Sequence, residues 1–323
     1  MIQYLVVLLD DTSTSFCHYS NNRKERNLIP LDTLKAGIIY AMKENLNIQF
    51  VYPCYELPVE YLETIDSIDH TDIQPACNAD KGDVVVLDGI ADARRIEFRA
   101  GVAYVLRTDK SSLFAEADKV CELLHKADRL NIVMTDAETF NDEDIEKYKD
   151  VLKILSSTIE SIYLSGRSVQ CNLLTDRMML DKMNNCGAGD TTITLAPDGH
   201  FYVCPAFFLA DKEDAIGCLN YSIGGLESGL DIKNSQLYKL DHAPLCRKCD
   251  AYQCKRCIWL NRKMTCEVNT PSHEQCVIAH LERNASRELL QNIRKHGEFM
   301  PERDITEIEY LDPFEIRNQR DGL

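Results

Sequence analysis

Four cysteines in a short run carry the strongest chemical signal in the sequence. Cys246, Cys249, Cys254 and Cys257 follow the pattern C-x2-C-x4-C-x2-C. Two residues between cysteines place both thiolates on one tight turn, where they converge on a metal. Three more cysteines extend the pattern into a module over residues 186–276. The seven cysteines predicted to bind metal are Cys186, Cys204, Cys246, Cys249, Cys254, Cys257 and Cys276.

The short spacer in this run favours two metal centres over one. A single zinc ion could take the four close cysteines, but about a dozen residues usually separate the two pairs of a zinc ribbon. In ferredoxin-type runs, the last of several close cysteines binds a different iron–sulfur cluster from the others. By this reasoning, one cluster is held by Cys246, Cys249, Cys254 and Cys276. Zinc stays open as the alternative.

The other three cysteines form an incomplete set of ligands. Cys186, Cys204 and Cys257 would hold the other cluster, which leaves one iron position to be filled by a further residue, by substrate or by solvent. Spacing does not choose among the chain's own cysteines. The candidates for this position are Cys171, Cys218 and Cys266.

The N-terminal half predicts an α/β domain that would support this module. Apolar runs typical of strands occur at residues 4–9, 48–52, 84–87, 102–106 and 131–134. Helical spacing of apolar residues at about 31–42, 113–124 and 145–155 alternates with them, and Asn141 suits the cap of the last helix. Such alternation is typical of a largely parallel sheet. No glycine-rich phosphate loop accompanies these strands.

The pattern changes near residues 165–185, where we expect a domain boundary. The turn Pro197-Asp198-Gly199 predicts a hairpin between strands at 191–195 and 201–203. Loops rich in cysteine follow, and a helix is expected after Cys276, running to about Lys295. We therefore divide the chain into an α/β domain at 1–175, a cysteine-rich domain at 176–280, and a C-terminal helix and tail at 281–323.

Composition excludes several classes of protein. The net charge of −16 argues against a nucleic-acid partner, because phosphate contacts need clustered Lys and Arg. No apolar run is long enough to span a membrane and no secretory signal opens the chain, which predicts a cytoplasmic protein. Fourteen cysteines in that reducing compartment indicate metal binding and not a disulfide framework.

The order of the seven cysteines resembles the SPASM domain of radical SAM enzymes that modify ribosomally made peptides. The resemblance includes Gly199-x4-Cys204, the phrase APDGHFYVCP at 196–205 and the phrase IGCL at 216–219. It departs in the close run, where the family usually has five and three intervening residues in place of four and two. This resemblance implies two 4Fe-4S clusters that pass electrons or help to bind substrate.

The motif that holds the SAM-cleaving cluster in radical SAM enzymes is incomplete. After the first strand these enzymes have CxxxCxxC, but this sequence has the single Cys17, with Asp10 and Thr14 at the other two positions. A Gly-Gly-Glu motif after the second strand is also absent. We therefore expect no cleavage of S-adenosylmethionine by this chain. Cys17 could bind a substrate thiol, although its aromatic neighbours Phe16 and Tyr19 suggest a packed loop.

A partial (β/α) barrel without its cysteine triad, followed by a SPASM-like module, resembles the CXXX repeat peptide maturase family. The stretches FCHY at 16–19 and NIQFVYP at 47–53 add to this similarity. It implies a precursor peptide with cysteine at every fourth position and a partner radical SAM enzyme. We therefore predict an iron–sulfur protein of peptide maturation. The alternatives are a non-catalytic adaptor that binds the leader peptide and a zinc-stapled interaction protein.

Overall fold

One nine-stranded sheet organises the part of the chain that the computed structural model describes, residues 1–209 and 221–306. Cys218 and the predicted tail beyond residue 306 lie outside the described residues. The strands in chain order are β1 (Tyr4–Leu8), β2 (Asn47–Val51), β3 (Thr71–Pro75), β4 (Val84–Asp88), β5 (Ala103–Thr108), β6 (Arg129–Met134), β7 (Gln170–Cys171), β8 (Thr192–Leu195) and β9 (Phe201–Tyr202). A separate small ladder pairs β10 (Gly224–Gly225) with β11 (Gly229–Leu230).

Strands β1 to β7 lie side by side in chain order and pair in parallel. Four successive residues of β1 are buried, which requires apolar side chains on both faces of the sheet because neighbouring residues of a strand point in opposite directions. The predicted parallel α/β sheet is confirmed. Strands β3 and β7 were missed, because the sequence of β3, TDIQP, has one aliphatic residue and ends on proline, and β7 spans only Gln170–Cys171.

The helices connect these strands and cover them. They are α1 (Leu31–Glu44), α2 (Val59–Ile65), α3 (Ile90–Ala93), α4 (Lys110–Ala115), α5 (Ala117–Leu124), α6 (Asp142–Leu164), α7 (Thr175–Met179), α8 (Ala206–Leu209), α9 (Ile258–Thr265) and α10 (His273–Arg294). The predicted cap of α6 is confirmed, since Asn141 and Asp144 form a reciprocal capping box. No helix within the described residues is long and apolar enough to cross a membrane.

Two helix predictions need correction. The pattern at 113–124 belongs to two helices, α4 and α5, which meet at Glu116. The C-terminal helix begins before Cys276 and not after it, because the Ser272 side chain accepts a hydrogen bond from the Gln275 amide and caps α10. Cys276 therefore lies in the first turn of α10.

The predicted hairpin is confirmed and joins the sheet at β1. Strands β8 and β9 are antiparallel around the turn at Gly199, where φ is +79° and glycine is favoured. Strand β8 also pairs in parallel with β1, so the nine-stranded sheet runs from the range 1–175 into the range 176–280. This pairing brings the segment that leads to Cys204 beside the strand that leads to Cys17.

Among the described residues, a disulfide joins Cys54, in the loop after β2, to Cys77, in the turn after β3. The sequence offered no spacing from which to predict this pair. The bridge ties two neighbouring loops together at the carboxyl edge of the sheet.

Candidate metal centres

The loop after β1 contains Asp10 and Thr14, which occupy the two positions where the resembled enzymes have cluster cysteines. Both residues form hydrogen bonds that hold the loop. Asp10 is fully buried, and its carboxylate accepts hydrogen bonds from the Thr12 amide at 2.7 Å and the Tyr55 hydroxyl at 2.8 Å. The Thr14 amide donates to the Tyr52 carbonyl at 3.0 Å. These residues offer oxygens, not thiolates, and Asp10 serves to fix the loop.

The same loop then crosses the carboxyl ends of β5 and β6. The buried Arg107 guanidinium donates to the carbonyl oxygens of Cys17 at 3.0 Å and Tyr19 at 2.8 Å, and to the Asp88 carboxylate at 2.8 Å. His18 Nδ1 lies 2.8 Å from the Met134 carbonyl oxygen. Contacts with β5 and β6 therefore fix in place the loop that carries Cys17.

We expect Arg107→Met to destabilise the protein by about 2–4 kcal/mol, because two buried carbonyl oxygens would lose their charged donor. Chemical denaturation of the purified variant measures this change. Lys153→Met, which removes an exposed ion pair to Asp150, is the control and should change stability by less than about 0.5 kcal/mol. Equal stability of Arg107→Met and wild type would contradict the role of Arg107 in fixing the loop.

The first set of predicted cysteines consists of Cys186, Cys204 and Cys257. All three pack against one apolar cluster. The Cys186 amide donates to the Lys255 carbonyl at 2.7 Å, which places Cys186 beside the cysteine run. Phe207 and Trp259, just after Cys204 and Cys257, meet edge to face at 5.2 Å. Trp259 is thus a core residue that ties two cysteine-bearing segments together.

Burial and mutual repulsion act on these thiols together. Burial raises the pKa of Cys257 to about 12, and the neighbouring Cys186 adds to the shift. Burial also raises the pKa of Cys204 well above its usual range, with further contributions from Cys186 and Cys257. Buried thiols this close together would ionise only if a cation or metal compensated their charge.

The second predicted set lines one small cavity. Cys246, Cys249, Cys254 and Cys276 surround a space of about 30 Å³. His280, one turn along α10 from Cys276, places Nε2 3.5 Å from the Cys249 Sγ atom. Burial raises the pKa of Cys246 to about 11 and that of Cys254 to about 12.

The spacing of these donors bears on which metal would fit them. Within residues 1–209 and 221–306, no three Cys, His, Asp or Glu side chains converge closely enough to hold one metal ion. A zinc ion needs sulfurs about 2.3 Å from a single centre, so they must approach to about 4 Å of each other. In an iron–sulfur cluster each thiolate binds a different iron, and its ligands stand farther apart.

Arg256 lies between the two groups and was not predicted from the sequence. Its side chain is 1% exposed, and Nε donates to the Asn185 side chain at 2.8 Å. Its Nη1 atom is buried with no hydrogen-bond partner among the described residues. Burial lowers the pKa of Arg256, and the thiols of Cys246, Cys186 and Cys254 act against that shift. A buried, unpaired guanidinium N–H is costly unless negative charge faces it.

The cysteines proposed to complete the first set lie elsewhere. Cys171 is fully buried in a different apolar cluster, under α6 and α10. Cys266 is exposed at the far end of α9, a helix about 12 Å long that separates it from Cys257. Neither lies with Cys186, Cys204 and Cys257. Cys218 is outside the described residues.

Solved structures of anSMEcpe have the same fold. Histidine-tagged anSMEcpe with bound AdoMet has a TM-score of 0.60 and 12% identity, covering 93% of this chain and 97% of that one. Native anSMEcpe with bound AdoMet and Cp18Cys peptide gives 0.59 and 12%, covering 91% and 100%. The predicted partial barrel is confirmed as a fold. No protein-family model and no curated protein matches the sequence.

Proposed function

We propose that this chain is an iron–sulfur protein of ribosomal-peptide maturation that does not itself cleave S-adenosylmethionine. The observation that carries the proposal is the gathering of the seven predicted cysteines into two partly buried groups, with the unpaired Arg256 Nη1 between them. Each group would hold one 4Fe-4S cluster. When bound, such clusters supply one-electron transfer sites.

The chemistry of the donors favours clusters over zinc. All seven candidate ligands are thiols, which suit both zinc and iron–sulfur centres. Only four residues separate the two pairs of the run, and ferredoxin-type runs divide such close cysteines between two clusters, which supports clusters over a single zinc ion. Arg256 supports the same choice, because inorganic sulfide and thiolates would provide the negative charge that its buried Nη1 lacks.

A peptide substrate is proposed from the family resemblance and the shared fold. anSMEcpe was solved with the Cp18Cys peptide and AdoMet bound. We propose that this chain acts on a precursor peptide with cysteine at every fourth position. A partner radical SAM enzyme would cleave S-adenosylmethionine, because the β1 loop of this chain carries Asp10 and Thr14 where two cluster cysteines would be needed.

Metal and sulfide analysis after anaerobic purification and reconstitution tests the cofactors. We expect about eight irons and about eight sulfides per chain. Cys254→Ala and Cys257→Ala should each lower both counts to about four, because each removes a ligand of a different cluster. Cys266→Ala, an exposed cysteine outside both groups, should leave the counts unchanged. Zinc without sulfide would contradict the proposal and favour the zinc-stapled alternative.

Mass spectrometry of a Cys-repeat precursor peptide tests the function. With the partner enzyme and S-adenosylmethionine present, the wild-type chain should support modification of the peptide. The folded Cys254→Ala/Cys257→Ala double variant should not. Full modification with that double variant would show a non-catalytic adaptor, and formation of 5′-deoxyadenosine by the chain alone would overturn its proposed dependence on a partner.

A further inference from the structure

The set formed by Cys186, Cys204 and Cys257 lacks a fourth ligand, and Cys17 is placed to complete it. All four cysteines pack against the same apolar cluster, although Cys17 stands far from the others in the sequence. None of the four forms a disulfide. A ligand role for Cys17 rests on the iron–sulfur proposal above.

Contacts on both sides of the β1 loop bring Cys17 to this group. Arg23, later in the loop, donates to the Phe208 carbonyl and stacks 4.2 Å from the Phe208 ring centre, on the helix that follows Cys204. On the other side, His18 contacts Met134 at the end of β6. The short turn after β6 carries Glu138, which binds Lys263 at 2.8 Å on the helix that Cys257 begins.

Tyr19 provides an independent sign that something polar fills the space. Its side chain is 3% exposed, and its hydroxyl has no hydrogen-bond partner among the described residues, although the Phe16 backbone lies nearby. Tyr19 belongs to the apolar cluster that Cys17 and Cys204 pack against. A buried hydroxyl there would donate a hydrogen bond to a thiolate or to cluster sulfide.

Basic groups provide the charge that four thiolates would require. Arg107 donates to the Cys17 carbonyl, and Lys255 and Arg256 precede Cys257. The Cys186 amide donates to the Lys255 carbonyl at 2.7 Å, so these two basic residues lie in the segment that meets Cys186.

We propose that Cys17 is the fourth protein ligand of the cluster held by Cys186, Cys204 and Cys257. The fixed loop favours this role over capture of a substrate thiol, because a capturing cysteine needs a mobile or open approach. The iron position left open by the sequence is then filled by the chain itself. Substrate thiolate need not occupy it, and this cluster would serve electron transfer.

Iron analysis and paramagnetic resonance of Cys17→Ala test the assignment in the full, anaerobically reconstituted chain. We expect iron to fall from about eight to between four and seven per chain, with the signal of the first cluster lost or changed to that of a three-iron cluster. The signal of the second cluster should remain and reports that the variant is folded. Cys121→Ala, a partly buried cysteine on α5, is the matched control and should match wild type.

If the alanine variant loses both clusters, Cys17→Ser tests the ligand role of Cys17 instead. A serine oxygen can replace the thiolate, so we expect retained iron with altered signals from the first cluster only. Wild-type iron, sulfide and spectra in either substituted protein would overturn the role of Cys17. Absence of iron and sulfide from the wild-type chain would instead overturn the underlying proposal that the protein holds clusters.

Discussion

Arg256→Met is expected to lower the reduction potentials of the two proposed clusters by roughly 60–130 mV while the iron content stays unchanged. Reduction adds negative charge, and a buried guanidinium stabilises the more negative state. A hydrogen bond that involves a charged group contributes about 1.5–3 kcal/mol, and about 1.4 kcal/mol corresponds to 59 mV for one electron. The shift should be visible at both sites, since Arg256 interacts with Cys186 on one side and with Cys246 and Cys254 on the other.

A redox titration followed by paramagnetic resonance measures these potentials. Lys248→Met is the matched control, because it removes a positive charge from the same cysteine run at an exposed position where water screens it. Its effect should be several times smaller. Arg256→Lys retains the charge but not the planar donor and should give an intermediate shift. Unchanged potentials in Arg256→Met with full iron content would show that Arg256 does not face the clusters.

The wild-type protein is expected to lose stability as the pH rises from 4.5 to 7. Glu282→Gln should remove most of this loss. Burial raises the pKa of Glu282 from 4.5 to about 7, against the hydrogen bonds from Tyr148 and Gln253. The folded state therefore holds a proton that the unfolded state releases. The stabilisation is complete below pH 4.5 and is lost as the pH rises to about 7, a change of about 3 kcal/mol.

Denaturant unfolding at several pH values tests this expectation, with the difference between variant and wild type isolating Glu282 from other carboxyl groups. The Tyr148 hydroxyl donates to Glu282 at 2.8 Å, and an amide oxygen at the same position can accept that bond. The variant should therefore gain stability relative to wild type as the pH rises. Parallel stability curves for the two proteins would show that Glu282 is ionised in the folded state throughout.

The position of this network connects α6 and α10 to the cysteine run. Glu282 lies on α10, and Gln253 immediately precedes Cys254, with its Nε2 donating to the Ala279 carbonyl at 2.7 Å. Loosening of this contact at higher pH would act first on the segment that carries Cys254. We therefore expect the second cluster to be the more sensitive of the two to alkaline conditions.

A closed first cluster would give the loop after β1 a role in cluster binding. This loop is fixed by Asp10, Arg107 and His18, and it directs Cys17 toward cysteines of the C-terminal module. Under the proposal above, the loop would supply one ligand to a cluster that the C-terminal module otherwise holds.

The sequence by itself determined the elements with strong local signals. Apolar runs were sufficient for the parallel strands β1, β2, β4, β5 and β6, but not for the polar β3 or the very short β7, which neighbouring strands hold in the sheet. The turn at Gly199 and the cap at Asn141 followed from local backbone chemistry. The close cysteine run and its outlying members follow the kind of spacing that metal ligation requires, and their role as ligands stays a prediction.

Only the tertiary structure decided which distant residues meet. Pairing of β8 with β1 brought the loop of Cys17 to the segments of Cys186, Cys204 and Cys257, and no spacing rule relates these residues because they lie far apart in the sequence. The expected effects of Arg256 and Glu282 depend on their burial, because a charge becomes costly only where surrounding segments exclude water. Local structure depends on neighbouring residues in the sequence, whereas the completion of a site depends on which surfaces fold against one another.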